Sequence, residues 1–150
     1  MKKTKIYFIL LVVSSLLISS CATSFYDHYT FTETITAKTE AQSLIRQSVN
    51  SYENHIPQIE SFKSRIDKMV IYEREKSKNE ITLKMWNHMN SEKSSLSKFL
   101  ELWKEKDKLN PAFTEEFATQ IDKMFDLMIA YETKKDPESK SALEQLLTAQ

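Results

Sequence analysis

The chain has 150 residues, 21 basic against 21 acidic, with one cysteine and no glycine. Zero formal charge removes the electrostatic case for a nucleic-acid partner. A lone cysteine rules out an internal disulfide, and the missing glycine argues against strand-rich folds, which need it for hairpin turns and bulges. Helices instead start and stop on Asn, Asp and Pro signals, and the three prolines stand at expected helix starts or linkers. The expected class is all-α.

Lys2, Lys3 and Lys5 precede an apolar run from Ile6 to Ile18, broken only by Ser14 and Ser15 and followed by Ser19 and Ser20. A basic start, a short apolar core and small residues make a secretory signal peptide. A membrane-spanning helix needs about 20 apolar residues, more than this run offers. Its end, Leu17-Ile18-Ser19-Ser20-Cys21, resembles the lipobox of bacterial lipoproteins: an apolar residue, two small residues, then the cysteine. The resemblance implies diacylglyceryl transfer to the Cys21 sulfur, cleavage before Cys21, and acylation of the new amino terminus. One acyl chain gives only marginal membrane binding, so two or three make a lasting anchor. Ala22 follows, where an Asp would resemble an inner-membrane retention signal. By that analogy the chain belongs to the outer membrane, facing the periplasm.

Cutting before Cys21 removes 20 of the 150 residues and leaves 130, one domain's worth. Without Lys2, Lys3 and Lys5, 18 basic residues face 21 acidic ones, a formal charge of −3. A domain of this size buries roughly two-thirds of its unfolded surface, so packing alone can hold it together. The expected division is a signal peptide over 1–20, a lipidated tether over 21–29 and a helical bundle over 30–150. Phe25, Tyr26, Tyr29 and Phe31 crowd the tether, either at the lipid headgroups or capping one end of the core.

Thr30 and Glu33 form a capping-box pair, so a first helix is expected from there to about Asn54. Its stripe is Ala37, Ala41, Leu44, Ser48, Tyr52 and Ile56. Pro57 suits the start of a second helix, with Ile59, Phe62, Ile66, Met69 and Val70 on one face. Ser77 with Glu80 makes another capping box, so a break is expected over Lys76–Asn79; one long bent helix is the alternative. A third helix carries Ile81, Met85, Met89, Glu92, Leu96, Phe99 and Trp103 in an unbroken stripe. Asn110 and Pro111 open a fourth, with Phe113, Phe117, Ile121, Met124, Met128 and Tyr131 facing inward. Asp136-Pro137 starts a short last helix held by Leu143, Leu146 and Leu147. Four main helices with short connections, plus the short one, predict an antiparallel bundle.

Phe62-x3-Ile66-Asp67-Lys68-Met69 recurs as Phe117-x3-Ile121-Asp122-Lys123-Met124, and Met69-x-x-Tyr72-Glu73 as Met128-x-x-Tyr131-Glu132. A duplicated hairpin explains this, and so does convergence of amphipathic helices. Met85, His88 and Met89 share a helix face and offer soft ligands of the kind Cu(I) takes; methionine at this spacing is also ordinary core filling. Glu73 and Glu132 fall on or beside apolar stripes. They form a possible buried polar pair, either for acid–base chemistry or matched to a lysine or tyrosine at a bundle end. No Glu-x-x-His pair, phosphate loop, zinc spacing or nucleophile elbow occurs in the sequence. The expected role is therefore a non-catalytic binding or structural module without cofactor, meeting an envelope protein partner; a Cu(I)-type metal or small-ligand bundle is the alternative.

Overall fold

The computed structural model describes residues 26–148. The expected signal peptide (1–20), the expected lipidation residue Cys21 and Phe25 lie outside the described residues. Within them the chain is all-helical: α1 (His28–Gln47), a 3-10 turn (Tyr52–His55), α2 (Ile56–Glu75), α3 (Glu80–Met89), α4 (Ser95–Lys106), α5 (Pro111–Lys134) and α6 (Pro137–Thr148).

The first helix starts earlier than the Thr30–Glu33 capping box implies. Asp27 is the cap, its carboxylate accepting the backbone N–H of Tyr29 at 2.8 Å and of Thr30 at 3.2 Å. Thr30 and Glu33 are released for tertiary contacts, and the tether expected to run to Tyr29 is already helical from His28. Thr30, Thr34, Ala37, Ala41, Leu44 and Ile45 form the buried side of α1. The two alanines let a neighbouring backbone come close, and α1 makes its most extensive contact with α5.

α1 also ends earlier than expected, at Gln47 rather than near Asn54. The Ser48 hydroxyl donates to the Ile45 carbonyl at 2.7 Å, the local bond by which serine competes with helix continuation. The Ser48 carbonyl accepts Leu109 N–H at 2.8 Å, tying this turn to the start of α5. Ile56, expected inside, is 42% exposed.

α2 buries Ile59, Phe62, Ile66, Met69, Val70 and Glu73, and the chain breaks after Glu75. With no glycine to turn on, Lys78 takes a left-handed conformation at φ 63°. The expected third helix is two helices. α3 stops at Met89, and Ser94 holds both sides of the interruption: its hydroxyl donates to the Met89 carbonyl at 3.1 Å and accepts Ser97 N–H at 3.0 Å. Glu92, expected on the stripe, sits exposed in this turn.

Side-chain links set the helix directions. Lys38 pairs with Asp126 and Gln42 bonds Asp122 at 2.8 Å, so α1 and α5 run antiparallel. Glu33 meets Lys68 at 3.0 Å and Glu40 meets Arg65 at 2.8 Å, so α1 and α2 do too. Asn90 at the end of α3 reaches Asp67 at 2.9 Å, and Trp103 on α4 stacks near His55, so α3 and α4 together retrace α2. Phe113 points outward, 55% exposed, whereas Ile121, Met124, Phe125, Met128 and Tyr131 fill the core side of α5. α6 lies across α5 and α3 and inserts Leu143, which is fully buried. One continuous core contains both tryptophans.

Candidate functional site

Three helix ends meet where the chain joins the bundle: the start of α1 and the ends of α2 and α5. Burial there draws polar groups into a network. Glu73 is 0% exposed and Glu132 1%, so each carboxylate needs partners, because an unpaired buried charge is costly. Glu73 accepts from Lys76 Nζ at 3.1 Å, from the Thr30 hydroxyl and from the Asn79 amide. Glu132 accepts from Lys135 Nζ at 2.6 Å and from the backbone N–H of Asp27 at 3.2 Å. Asp27 joins the two: its Oδ2 accepts the Tyr72 hydroxyl at 2.9 Å and pairs with Lys76 at 2.7 Å.

The protonation directions follow from these bonds. Burial opposes ionisation of Asp27, but hydrogen bonds from Lys76, Tyr72 and Thr30 N–H more than offset it and hold the carboxyl well below the usual range. Burial dominates at Glu132 and pushes its carboxyl up, only partly offset by Lys135 and the Asp27 N–H. Burial also raises the Tyr131 hydroxyl, with Glu132 adding to it.

The repeated Met-x-x-Tyr-Glu pattern extends three positions further, to a shared lysine. Tyr72-Glu73-x-x-Lys76 and Tyr131-Glu132-x-x-Lys135 build the same device at the ends of α2 and α5. In each the lysine bonds the glutamate three residues earlier and lies over the ring of the preceding tyrosine, at 5.2 Å for Lys76 and 4.6 Å for Lys135. The lysines at i+3 were legible as helix neighbours of the glutamates. Asp27 was not, because its partners lie far away in the chain.

Chemically the network is closed. Its glutamates touch protein donors, not solvent, and its clearest consequence is mechanical: the chain leaving the bundle at Asp27 is fastened to both α2 and α5.

The copper candidates are placed differently. Met85 is 0% and Met89 1% exposed, packed in the core, while His88 is half-buried. Among the described residues, no group of three or more His, Cys, Asp or Glu side chains is placed to hold a metal ion. No described helix is long and apolar enough to cross a membrane. No family model, curated protein or solved structure matches this chain.

At the opposite end a groove of about 470 Å³ opens between α1 and α2, lined by residues that include Ser43, Leu44, Gln47, Asn54, Pro57 and Gln58. Its lining is mostly neutral, amides and hydroxyls with Leu44 and Pro57, and carries one carboxylate, Glu40. Glu40 at its margin is engaged by Arg65, which bridges Glu40 and Glu33. Gln47 Oε1 is buried with no hydrogen-bond partner among the described residues. Val49, Ile56 and Phe113, at 42%, 42% and 55% exposure, stand at this same end of the bundle.

Proposed function

We propose that this chain is a lipid-anchored bacterial lipoprotein whose helical domain is a non-catalytic binding or structural module. It is held at the outer membrane facing the periplasm and works through contact with another envelope protein. In this reading the domain is a four-cornered antiparallel bundle in which α3 and α4 form one broken rod and α6 is a cover.

One observation carries the proposal: Leu17-Ile18-Ser19-Ser20-Cys21 ends five residues before Tyr26, where the described domain begins. A lipid on Cys21 would sit beside the end fastened by Asp27. Support for the binding role comes from the other end, where exposed Val49, Ile56 and Phe113 and the amide-lined groove stand away from the anchor. Support for a non-catalytic role comes from Glu73 and Glu132, whose carboxylates are buried and occupied by protein donors.

The test is Cys21→Ala in the native host. The wild-type chain is expected in the membrane fraction and solubilised only by detergent, and the variant is expected as an uncleaved precursor or a soluble form. Because an uncleaved precursor stays in the membrane by its signal segment, processing and acylation are read alongside the fractions: a wild-type chain without fatty acid, or a variant cleaved and acylated as the wild type is, overturns the reading.

A further inference from the structure

We propose that the end of the bundle nearest Cys21 rests on the bilayer, with Tyr26 and Tyr29 at the level of the lipid headgroups. This deepens the lipid-anchored reading and rests on it.

Three features argue for contact. The first is reach. Four residues, and so five steps along the chain, separate Cys21 from Tyr26; an extended chain covers about 3.3–3.6 Å per step, so the gap is at most about 17–18 Å. Just beyond that point the chain is fastened to the bundle, because Asp27 is tied by its backbone N–H to Glu132 and by its carboxylate to Tyr72 and Lys76. A lipid on Cys21 therefore holds this end close to the surface.

The second is side-chain type. Tyr26 is 52% exposed and Tyr29 39%, and both are rings with polar tips, the kind of side chain that collects at membrane interfaces. They are also braced. The Tyr26 ring leans on Phe31 with centroids 5.9 Å apart, and its hydroxyl lies 3.3 Å from His28 Nδ1. The Tyr29 ring packs on Tyr72 at 4.7 Å, with the Lys68 ammonium 5.6 Å from its centroid. Supported rings lose little freedom on docking.

The third is charge. Exposed Arg74, Lys78 and Lys134 at this end alternate with exposed Glu75, Glu80 and Glu138. No single sign dominates, so the docking is assigned to the rings and to a zwitterionic surface rather than to anionic lipid. Helices of 20 residues are about 30 Å long, which places the Gln47–Gln58 groove beyond the headgroups.

The experiment uses the full lipidated chain, reconstituted in phosphatidylcholine vesicles with brominated acyl chains. Tyr26→Trp and Tyr29→Trp place reporters at the proposed contact, and Val49→Trp places one at the far end. The wild type, whose Trp86 and Trp103 are both 0% exposed, supplies the background. Both near reporters are expected to lose most of their emission relative to non-brominated vesicles, at low and high salt alike, and the far reporter to keep its emission. An unquenched reporter at position 26 or 29, or a quenched one at 49, overturns the orientation. Mass analysis of the same sample separates the two claims: lipid on Cys21 without quenching refutes the docking alone, whereas an unmodified Cys21 refutes the anchoring and the docking with it.

Discussion

At one end of the bundle Asp27, Glu73, Lys76, Glu132 and Lys135 tie three helix ends together with charge. At the other, Trp103 does the equivalent work with a ring. Its face meets Tyr52 at 5.5 Å, His55 at 5.4 Å and Phe99 at 5.9 Å, and its indole N–H donates to the carbonyls of Asn50 at 3.0 Å and Asp107 at 3.1 Å. Asp107 completes that end with a positive φ of 63°, its carboxylate accepting the Ser51 hydroxyl at 2.6 Å and Tyr52 N–H at 3.1 Å. The difference teaches what each end is free to do. An anchor centred on a ring holds mainly by packing and leaves the surrounding turns to present exposed side chains. A charged anchor binds the incoming chain tightly but responds to acid.

The sharpest way to break the comparison is Trp103→Ala. It removes a fully buried indole and both its hydrogen bonds, and a loss of roughly 3–5 kcal/mol is expected by chemical denaturation. A loss below 1 kcal/mol means the far end is held by something else. Next is Glu73→Ala, which leaves Lys76, Thr30 and Asn79 without their common acceptor. Breaking one side of a buried pair costs about 3 kcal/mol, and the loss should shrink when Lys76 is replaced by Met in the same chain. A double variant whose loss equals the sum of the two single losses removes the case for coupling.

Asp27→Asn tests the acid response. The Asp27 pKa is lower in the folded chain than in the unfolded one, so its stabilisation is present above the unfolded value, near pH 4, and is lost as pH falls. Glu132 has the opposite sign: its raised pKa makes ionisation unfavourable to folding, so its contribution declines as pH rises above the ordinary glutamate range. Asp27→Asn keeps a good helix cap but removes the charge that faces Lys76 and the Tyr72 hydroxyl; it is expected to cost about 1–2 kcal/mol at neutral pH, the size of a charge-assisted bond, and to flatten the fall in stability below about pH 4. Amide exchange at residues 28–31 should quicken while that near Trp103 does not change. The smallest effect is a gain. The buried Thr82 hydroxyl, near Glu132, has no hydrogen-bond partner among the described residues. Thr82→Val should raise stability by about 1 kcal/mol in thermal melts, and a fall marks a contact the account lacks.

Much of this was legible before any coordinates. The α2 stripe is buried residue for residue, and the break over Lys76–Asn79 follows from polarity rising where the stripe ends. The break at Asn90–Ser94 was hidden because Met89 and Leu96 are seven residues apart, which keeps the apolar spacing in phase across the turn. Ser94 was the available signal, a helix cap placed just before Leu96. The start of α1 was misread for a related reason: Thr30 and Glu33 have the spacing of a capping box, but Asp27 is the better acceptor, and both residues instead reach α2. Local pattern located the faces and missed the caps. At the network, Glu73 and Glu132 stood out as carboxylates on apolar stripes, whereas the Asp27 links span 45 and 105 residues and exist only in the folded chain.

The account stands or falls on the anchor at residue 21. Intact-mass measurement of the chain purified from its native host tests it most directly. The account predicts a polypeptide beginning at Cys21 and carrying a diacylglyceryl group with further acylation. A chain that begins elsewhere, or that carries a free Cys21 thiol, contradicts it.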